Sequence, residues 1–325
     1  MLDVFFIVAG LVGLVWSSDK FVDGAASIAK LAGLSPLLIG LTIVSLGTSA
    51  PEIVVSIIAS LSGSGGLAVG NALGSNIANT GLVLGVTLLI KTMYVDTSAT
   101  RRELPQMLGA TLLAGALIID GDLSVFDGIV LLSALVIFLF LLSTRANSQE
   151  SKNQQPIATS AGVAWLYFIG GLVLLVISSR VLVIGAVNIA TLLGVSELII
   201  GLTIVAIGTS LPELAASVMS AVKGHADIAL GAIVGSNVFN LLVVLPVPGL
   251  LGPLALGSDV FNRDWLATLL LAVLLFLFSW HAQRRTNNDT NATGELGRIT
   301  GVVLLGTYIG YLTLLVLVSD VTGQA

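Results

Sequence analysis

Two copies of one proline-interrupted acidic hexapeptide limit how this chain can fold. Gly-Thr-Ser-Ala-Pro-Glu runs from Gly47 to Glu52 and Gly-Thr-Ser-Leu-Pro-Glu from Gly208 to Glu213, each inside a long apolar stretch. A carboxylate at bilayer depth costs about 2.5 to 3.5 kcal/mol on insertion scales, so it is rarely retained without a partner or a cation. Two such carboxylates, at equivalent places in two halves of a chain, read as one shared cation site.

The duplication is wider than the hexapeptide. A shift of 161 residues aligns Gly40 to Val86 with Gly201 to Val247 without a gap, with 21 identities in 47 positions. The identities fall on residues that punctuate structure: Pro51/Pro212, Gly70/Gly231, Gly74/Gly235, Ser75/Ser236, Asn76/Asn237 and Asn79/Asn240. Weaker similarity reaches Ser17-Ser18/Ser178-Ser179 upstream and Arg102-Glu103/Arg263-Asp264 downstream. The whole chain is read as a duplicated unit.

Composition decides the solvent. With 56% apolar and 10% charged residues, against about 25% charged in ordinary soluble domains, the chain is an all-α integral membrane protein. Cysteine is absent, which removes disulfides, thiolate metal sites and cysteine nucleophiles. The first apolar run lacks a basic n-region and a small-residue cleavage site, so it is expected to be retained in the membrane. Nothing in the charge pattern points to nucleic acid or to an obligate protein partner; the lipid bilayer is the partner composition implies.

At roughly 20 residues per crossing, the sequence predicts ten spans: 3–29, 35–61, 67–90, 103–119 and 125–143, then 161–191, 196–222, 227–251, 264–281 and 298–318. The domain reading is a first half over 1–145, a linker over 146–160 and a second half over 161–325. Five spans per half is an odd number, so the two five-helix repeats must be inverted. With the N-terminus outside, the cytoplasmic loops collect Lys30, Lys91, Arg101, Arg102, Arg145, Lys152, Lys223, Arg284, Arg285 and Arg298, while the opposite loops hold Arg263 alone. The positive-inside rule therefore places both termini outside and the central loop in the cytoplasm of a cell inner (plasma) membrane.

The motif chemistry follows from proline. Pro51 has no amide hydrogen, and its ring clashes with the carbonyl of Gly47, so a regular helix cannot continue. Carbonyls around Ser45 to Thr48 are freed at membrane depth, where only protein, water or ions can satisfy them. Thr48 and Glu52 are four apart and share a face; Thr209 and Glu213, with Ser210, repeat the arrangement. Carboxylate, hydroxyl and carbonyl oxygen without sulfur or histidine is the ligand chemistry of hard cations. In the second block, Ser75 and Asn79 share a face, as do Ser236 and Asn240, and the glycines four apart permit close helix approach. These side chains either ligate an ion or join helices.

These residues resemble the alpha repeats of the sodium/calcium exchanger family, within the calcium/cation antiporter superfamily, and most closely its small prokaryotic members. The resemblance covers essentially the full chain and rests on G-T-S-x-P-E and G-S-N-x-x-N, each present twice in register. It implies a secondary antiporter, not an enzyme, with no catalytic residues and no cofactor beyond transported Ca²⁺ and Na⁺. It further implies calcium ligands at Glu52, Glu213 and the carbonyls of Thr48 and Thr209. Sodium would use Ser45 (carbonyl), Ser49 and Ser75, with Ala206 (carbonyl), Ser210 and Ser236 opposite, and Asn79 and Asn240 would complete the centre. Some relatives carry aspartate where this chain has Asn240, which weakens a potassium-coupled reading; proton exchangers of the superfamily usually show G-N-x-x-E, which this chain lacks.

H⁺ or K⁺ as coupling ion, a cation channel, and an intramembrane hydrolase using Glu52 and Glu213 as an acid pair are the alternatives. Asn71, matched by Ala232, is expected to serve packing. Asp19 and Arg180 are expected to be structural, Asp3, Asp120, Asp122 and His225 to lie in solvated ends, and the sequon at Asn291 to face the cytoplasm unused.

Overall fold

The computed structural model describes residues 2–95, 99–146, 160–194, 206–285 and 294–322. Almost all of them are helical. Two helices are much longer than a bilayer requires: α1 (Leu2–Leu31) has 30 residues and α7 (Ala161–Leu192) has 32. At 1.5 Å per residue each is about 45 Å long, against a hydrocarbon core of roughly 30 Å, so both must tilt.

They lie against each other along their length, because glycines let the backbones touch. A Cβ added at Gly24 would come within 2.4 Å of the Phe168 amide nitrogen, and one at Gly171 within 2.6 Å of the Phe21 nitrogen. The Phe21 and Phe168 rings stack at 4.9 Å between. These residues belong to an apolar cluster of their own with Leu14, Ile39, Val44 and Ala216, separate from the larger core around Leu73, Ile77, Leu84 and Leu241. The α1/α7 pair thus forms a distinct layer.

The larger core contains the bent pair α2 (Pro36–Thr48) and α3 (Ala50–Leu61), then α4 (Gly65–Ile90), α5 (Leu104–Ile118) and α6 (Val125–Ala146). It continues with α8 (Ala206–Thr209), α9 (Leu211–Val222), α10 (Ala226–Leu251), α11 (Leu266–Arg285) and α12 (Arg298–Thr322). α10 is the central element, with 94% of its apolar stretch buried, and α4 follows at 72%. Large apolar side chains on outer helices, such as Val136, Phe140 and Val302, are exposed, as expected where lipid is the solvent.

Among the described residues seven helices are long and apolar enough to cross a bilayer, or eight when the pair bent by 42° at Ser49 is taken as one span. Two expected spans do not meet that length: α5 has 15 residues, and the described part of the seventh consists of α8 with 4 residues and α9 with 12. The start of the seventh span, the central linker and Asn291 lie outside the described residues. Two short antiparallel ladders were not foreseen: β1 (Met93–Val95) with β4 (Gly294–Leu296), and β2 (Asp122–Leu123) with β3 (Leu254–Ala255). Each joins a loop of one half to a loop of the other.

Candidate cation site

Ser35 starts the first broken helix, its hydroxyl accepting from the Leu38 amide at 3.3 Å with Pro36 behind it. Pro51 then ends it. The backbone ladder stops at Ser49 N→Ser45 O (2.9 Å) and resumes at Ile53 N→Ser49 O (3.1 Å), leaving the carbonyls of Leu46, Gly47 and Thr48 outside the regular pattern. In the second half the last bond is one residue tighter, Ser210 N→Ile207 O (3.1 Å), and the ladder resumes in the same way at Leu214 N→Ser210 O (2.9 Å). Pro212 is the cause, as the residue four beyond Gly208.

Each break delivers its glutamate to the first turn of the following helix, and both are deeply buried, Glu52 at 2% and Glu213 at 4% exposure. Glu213 lies within electrostatic range of Glu52 and beside the Thr48 side chain, so the two motifs meet. Neither carboxylate is paired with a base among the described residues. Nor is there a cluster of three or more His, Cys, Asp or Glu among them, which leaves the pair as the site's negative charge.

The second block closes the site from the opposite half. Ser236 stands 3.4 Å from the Thr48 hydroxyl and donates to the Ser45 carbonyl at 3.5 Å. It approaches this closely because Gly231 and Gly235 carry no side chain: a Cβ at Gly235 would lie 2.5 Å from Ser45 Oγ, and one at Gly231 2.5 Å from the Leu37 carbonyl oxygen. The matching contact of Gly70 and Gly74 would involve residues 198–206, most of them outside the described set. Asn76 Nδ2 donates to the Asn237 carbonyl at 3.1 Å, and Asn237 Nδ2 to Thr80 Oγ1 at 2.7 Å, so this asparagine pair joins α4 to α10. Asn71 donates to the Glu52 carbonyl at 3.2 Å, the packing role expected of it.

Ser45, Thr48, Ser49, Ser75, Ser210, Ser236, Asn79 and Asn240 are all 5% exposed or less. Several carry buried polar atoms without a protein partner: one carboxylate oxygen each on Glu52 and Glu213, the hydroxyls of Ser49 and Ser210, Asn79 Oδ1 and both amide atoms of Asn240. Buried polar atoms are normally satisfied. A set this rich in unpartnered oxygen, with two carboxylates and no base, fits a hard cation as cargo.

Two features escaped sequence reasoning. Both second blocks run into a π-helical turn, Ala78–Val83 and Asn240–Val244, which includes Asn79 and Asn240 respectively. Such turns are rare and concentrate at functional sites; the only trace in the sequence is that the residues recur at the 161-residue shift. The other feature is Ser179, whose hydroxyl donates to the Gly208 carbonyl at 2.8 Å.

A multi-pass helical membrane protein with this buried oxygen site has the makings of an ion transporter, and comparison with known proteins makes the class a calcium/cation antiporter. The chain belongs to the sodium/calcium exchanger family: the pattern of the family described as "Sodium/calcium exchanger protein" matches residues 2–144 and 163–317. It is 38% identical to "Inner membrane protein YrbG" of Escherichia coli (strain K12), over 97% of each chain. It is 33% identical to "Sodium/calcium exchanger MaX1" of Methanosarcina acetivorans, over 97% of this chain and 99% of that one. In three dimensions it resembles the sodium-calcium exchanger NCX_Mj with a TM-score of 0.82 at 32% identity, over 96% of this chain and 98% of the other.

Proposed function

We propose that this protein exchanges Na⁺ for Ca²⁺ by alternating access, an inward sodium gradient driving Ca²⁺ outward. The observation that carries the reading is that Glu52 and Glu213 are both buried, each with a carboxylate oxygen left without a partner, and neither pairs with a base among the described residues. Their combined charge near −2 is neutralised by one Ca²⁺ or by two Na⁺, and a third Na⁺ leaves the loaded site near +1. The two cargoes exclude one another, and exclusion couples the fluxes. Ca²⁺ takes both carboxylates with the carbonyls of Thr48 and Thr209. Na⁺ takes overlapping positions at Ser45, Ser49, Ser75, Ala206, Ser210 and Ser236, with Asn79 and Asn240 at the centre.

The architecture we propose is ten spans in two inverted five-helix halves, 1–145 and 161–325, joined by a cytoplasmic linker over 146–160, with both termini outside. The distribution of Lys and Arg supports it. Arg263, the one base assigned to the outer loops, sits between Asp259 at 3.1 Å and Asp264 at 2.7 Å, so its charge is locally cancelled. The long α1/α7 layer is the moving part, shifting against the remaining eight spans to open the site to one side or the other.

The test is ⁴⁵Ca uptake into proteoliposomes preloaded with Na⁺, with K⁺, or under a proton gradient. Uptake that requires internal Na⁺ is the expected result. Uptake driven equally by K⁺ or H⁺ overturns sodium coupling, and uptake without a counter-ion overturns exchange in favour of a channel.

A further inference from the structure

The α1/α7 layer meets the remaining helices largely through apolar side chains. Among the described residues its polar ties to them go to the second-half broken helix, one near each end. At the near end, Ser179 of α7 donates to the Gly208 carbonyl at 2.8 Å, with the whole bond buried. At the far end, Lys223 follows α9 and reaches α1: its Nζ lies 2.6 Å from Asp19 Oδ1, 2.6 Å from Asp23 Oδ1 and 3.0 Å from the Asp19 carbonyl oxygen.

The first tie has a chemical reason. The Gly208 carbonyl is the one whose helical donor is removed by Pro212, four residues on, and at membrane depth such a group needs another donor. Ser179 supplies it, and so fixes the peptide plane immediately before Thr209. The 161-residue shift maps Ser179 onto Ser18 and Gly208 onto Gly47, whose helical donor is removed by Pro51 in the same way. Yet Ser18 turns its hydroxyl back on its own helix, to the Val15 carbonyl at 3.0 Å. Gly47 instead faces α7, where an added Cβ would lie 3.0 Å from Leu172 Cδ2. Equivalent residues thus hold two different arrangements in one structure.

We propose that Ser179 and Ser18 are reciprocal positioning residues: Ser179 holds the Gly208 carbonyl in the arrangement seen in this structure, and Ser18 takes the Gly47 carbonyl when access is reversed. The inference rests on the alternating-access reading, in which inverted halves exchange conformations to reverse access. The Lys223 tie has no counterpart, because the same shift places Ser62, Arg180 and Ile184 at the positions of Lys223, Asp19 and Asp23. It therefore biases the equilibrium toward the state in which Ser179 is engaged. Burial alone would lower the Lys223 pKa, but its hydrogen bonds to Asp19 and Asp23 outweigh that and raise it. The ammonium stays charged at physiological pH, and the tie is not a pH switch.

Spin labels on Leu61→Cys and Leu192→Cys, both on exposed positions of a chain without native cysteine, report the separation of α7 from the core by pulsed electron resonance. Ser179→Ala and Ser18→Ala are expected to move the ratio of the two distance populations in opposite directions. The expected size is roughly two- to tenfold, the range for one lost hydrogen bond. Ser179→Thr and Ser18→Thr, which keep the hydroxyl, restore the starting ratio, and Lys223→Met moves it in the same direction as Ser179→Ala. Shifts of the two alanine variants in one direction, or no shift in either, overturn the proposal. Calcium exchange by the parent protein is measured alongside: exchange that persists while the serine variants fail to diverge sinks this inference alone, whereas a parent that does not exchange sinks the reading on which it rests.

Discussion

The two broken helices share a motif and differ in what their polar groups have already found. At the first, Ser45 and Thr48 are engaged by Ser236 from the other half, and Ser56, one turn beyond Glu52, donates to the Val244 carbonyl at 3.0 Å. At the second, Gly208 is held by Ser179 of the outer layer, while the hydroxyl of Ser217, one turn beyond Glu213, has no partner. The hexapeptide dictates the break, the glutamate's place in the next turn and the type of ligand. Tertiary context dictates which groups are satisfied. A transporter that alternates between two states needs polar groups whose partners can be exchanged at little net cost, and the unequal halves present that condition side by side.

The comparison breaks most severely at the glutamates, which are its shared feature. Glu52→Gln and Glu213→Gln keep size and one oxygen but lose the charge a divalent ion requires. Each is expected to reduce calcium exchange by at least about a hundredfold, since loss of outer partners alone typically costs metal sites 10- to 100-fold. The protein should remain folded and membrane-inserted. ⁴⁵Ca flux in proteoliposomes checks this, and near-normal transport in either variant removes the shared site.

Inversion of the halves is tested at one pair of equivalent positions. The 161-residue shift maps Asp120 onto His281, and both are exposed. In inverted halves a cysteine at Asp120 labels from outside and one at His281 from the cytoplasm. Labelling of both from the same face would mean the halves run parallel and would undo the ten-span arrangement.

Much of the site was legible because its causes are local. Proline at 51 and 212 dictates a break whatever surrounds it, and a glutamate one residue later must enter the next helical turn. The close approach of α10 could be read from Gly231 and Gly235, since only a missing Cβ brings Ser236 to Ser45. What stayed hidden depends on partners far apart in sequence. Ser179 and Gly208 are 29 residues apart, and Lys223 and Asp19 are 204 apart; no periodicity marks such pairs. Asp19 was expected to be structural without any sign of its partner. The π-helical turns at Asn79 and Asn240 insert one residue without a distinctive composition, and the short β ladders arise from loop pairing that a helical pattern does not reveal.

At Asn240 the expected change is one of coupling and not of fold. Its amide atoms are buried without a protein partner, so Asn240→Asp introduces a third negative charge of the same shape into the site proposed to take one Ca²⁺. Like charges at close range oppose each other's ionisation, so the variant should take up a proton or require an additional monovalent cation. Uptake measured from pH 6 to 9, with Na⁺ and K⁺ varied independently, reads this directly. Curves that superimpose on the parent's would place Asn240 outside the site and leave it as a packing residue.

The finest contrast is between Ser56 and Ser217, equivalent residues of which only one has found an acceptor. Ser56→Ala leaves the Val244 carbonyl, inside the π-helical turn, without its hydroxyl donor; the expected loss is about 1 kcal/mol, in line with hydrogen bonds of this kind in helical membrane proteins. Ser217→Ala removes a buried hydroxyl that has no partner, which should be neutral or slightly stabilising. Thermal unfolding of the two variants in detergent separates them, with only Ser56→Ala lowering the midpoint. Equal losses would mean that Ser217 finds a partner in the folded protein in solution. The asymmetry between the halves would then stop at the level of Ser179 and would not continue down the helix that carries the glutamate.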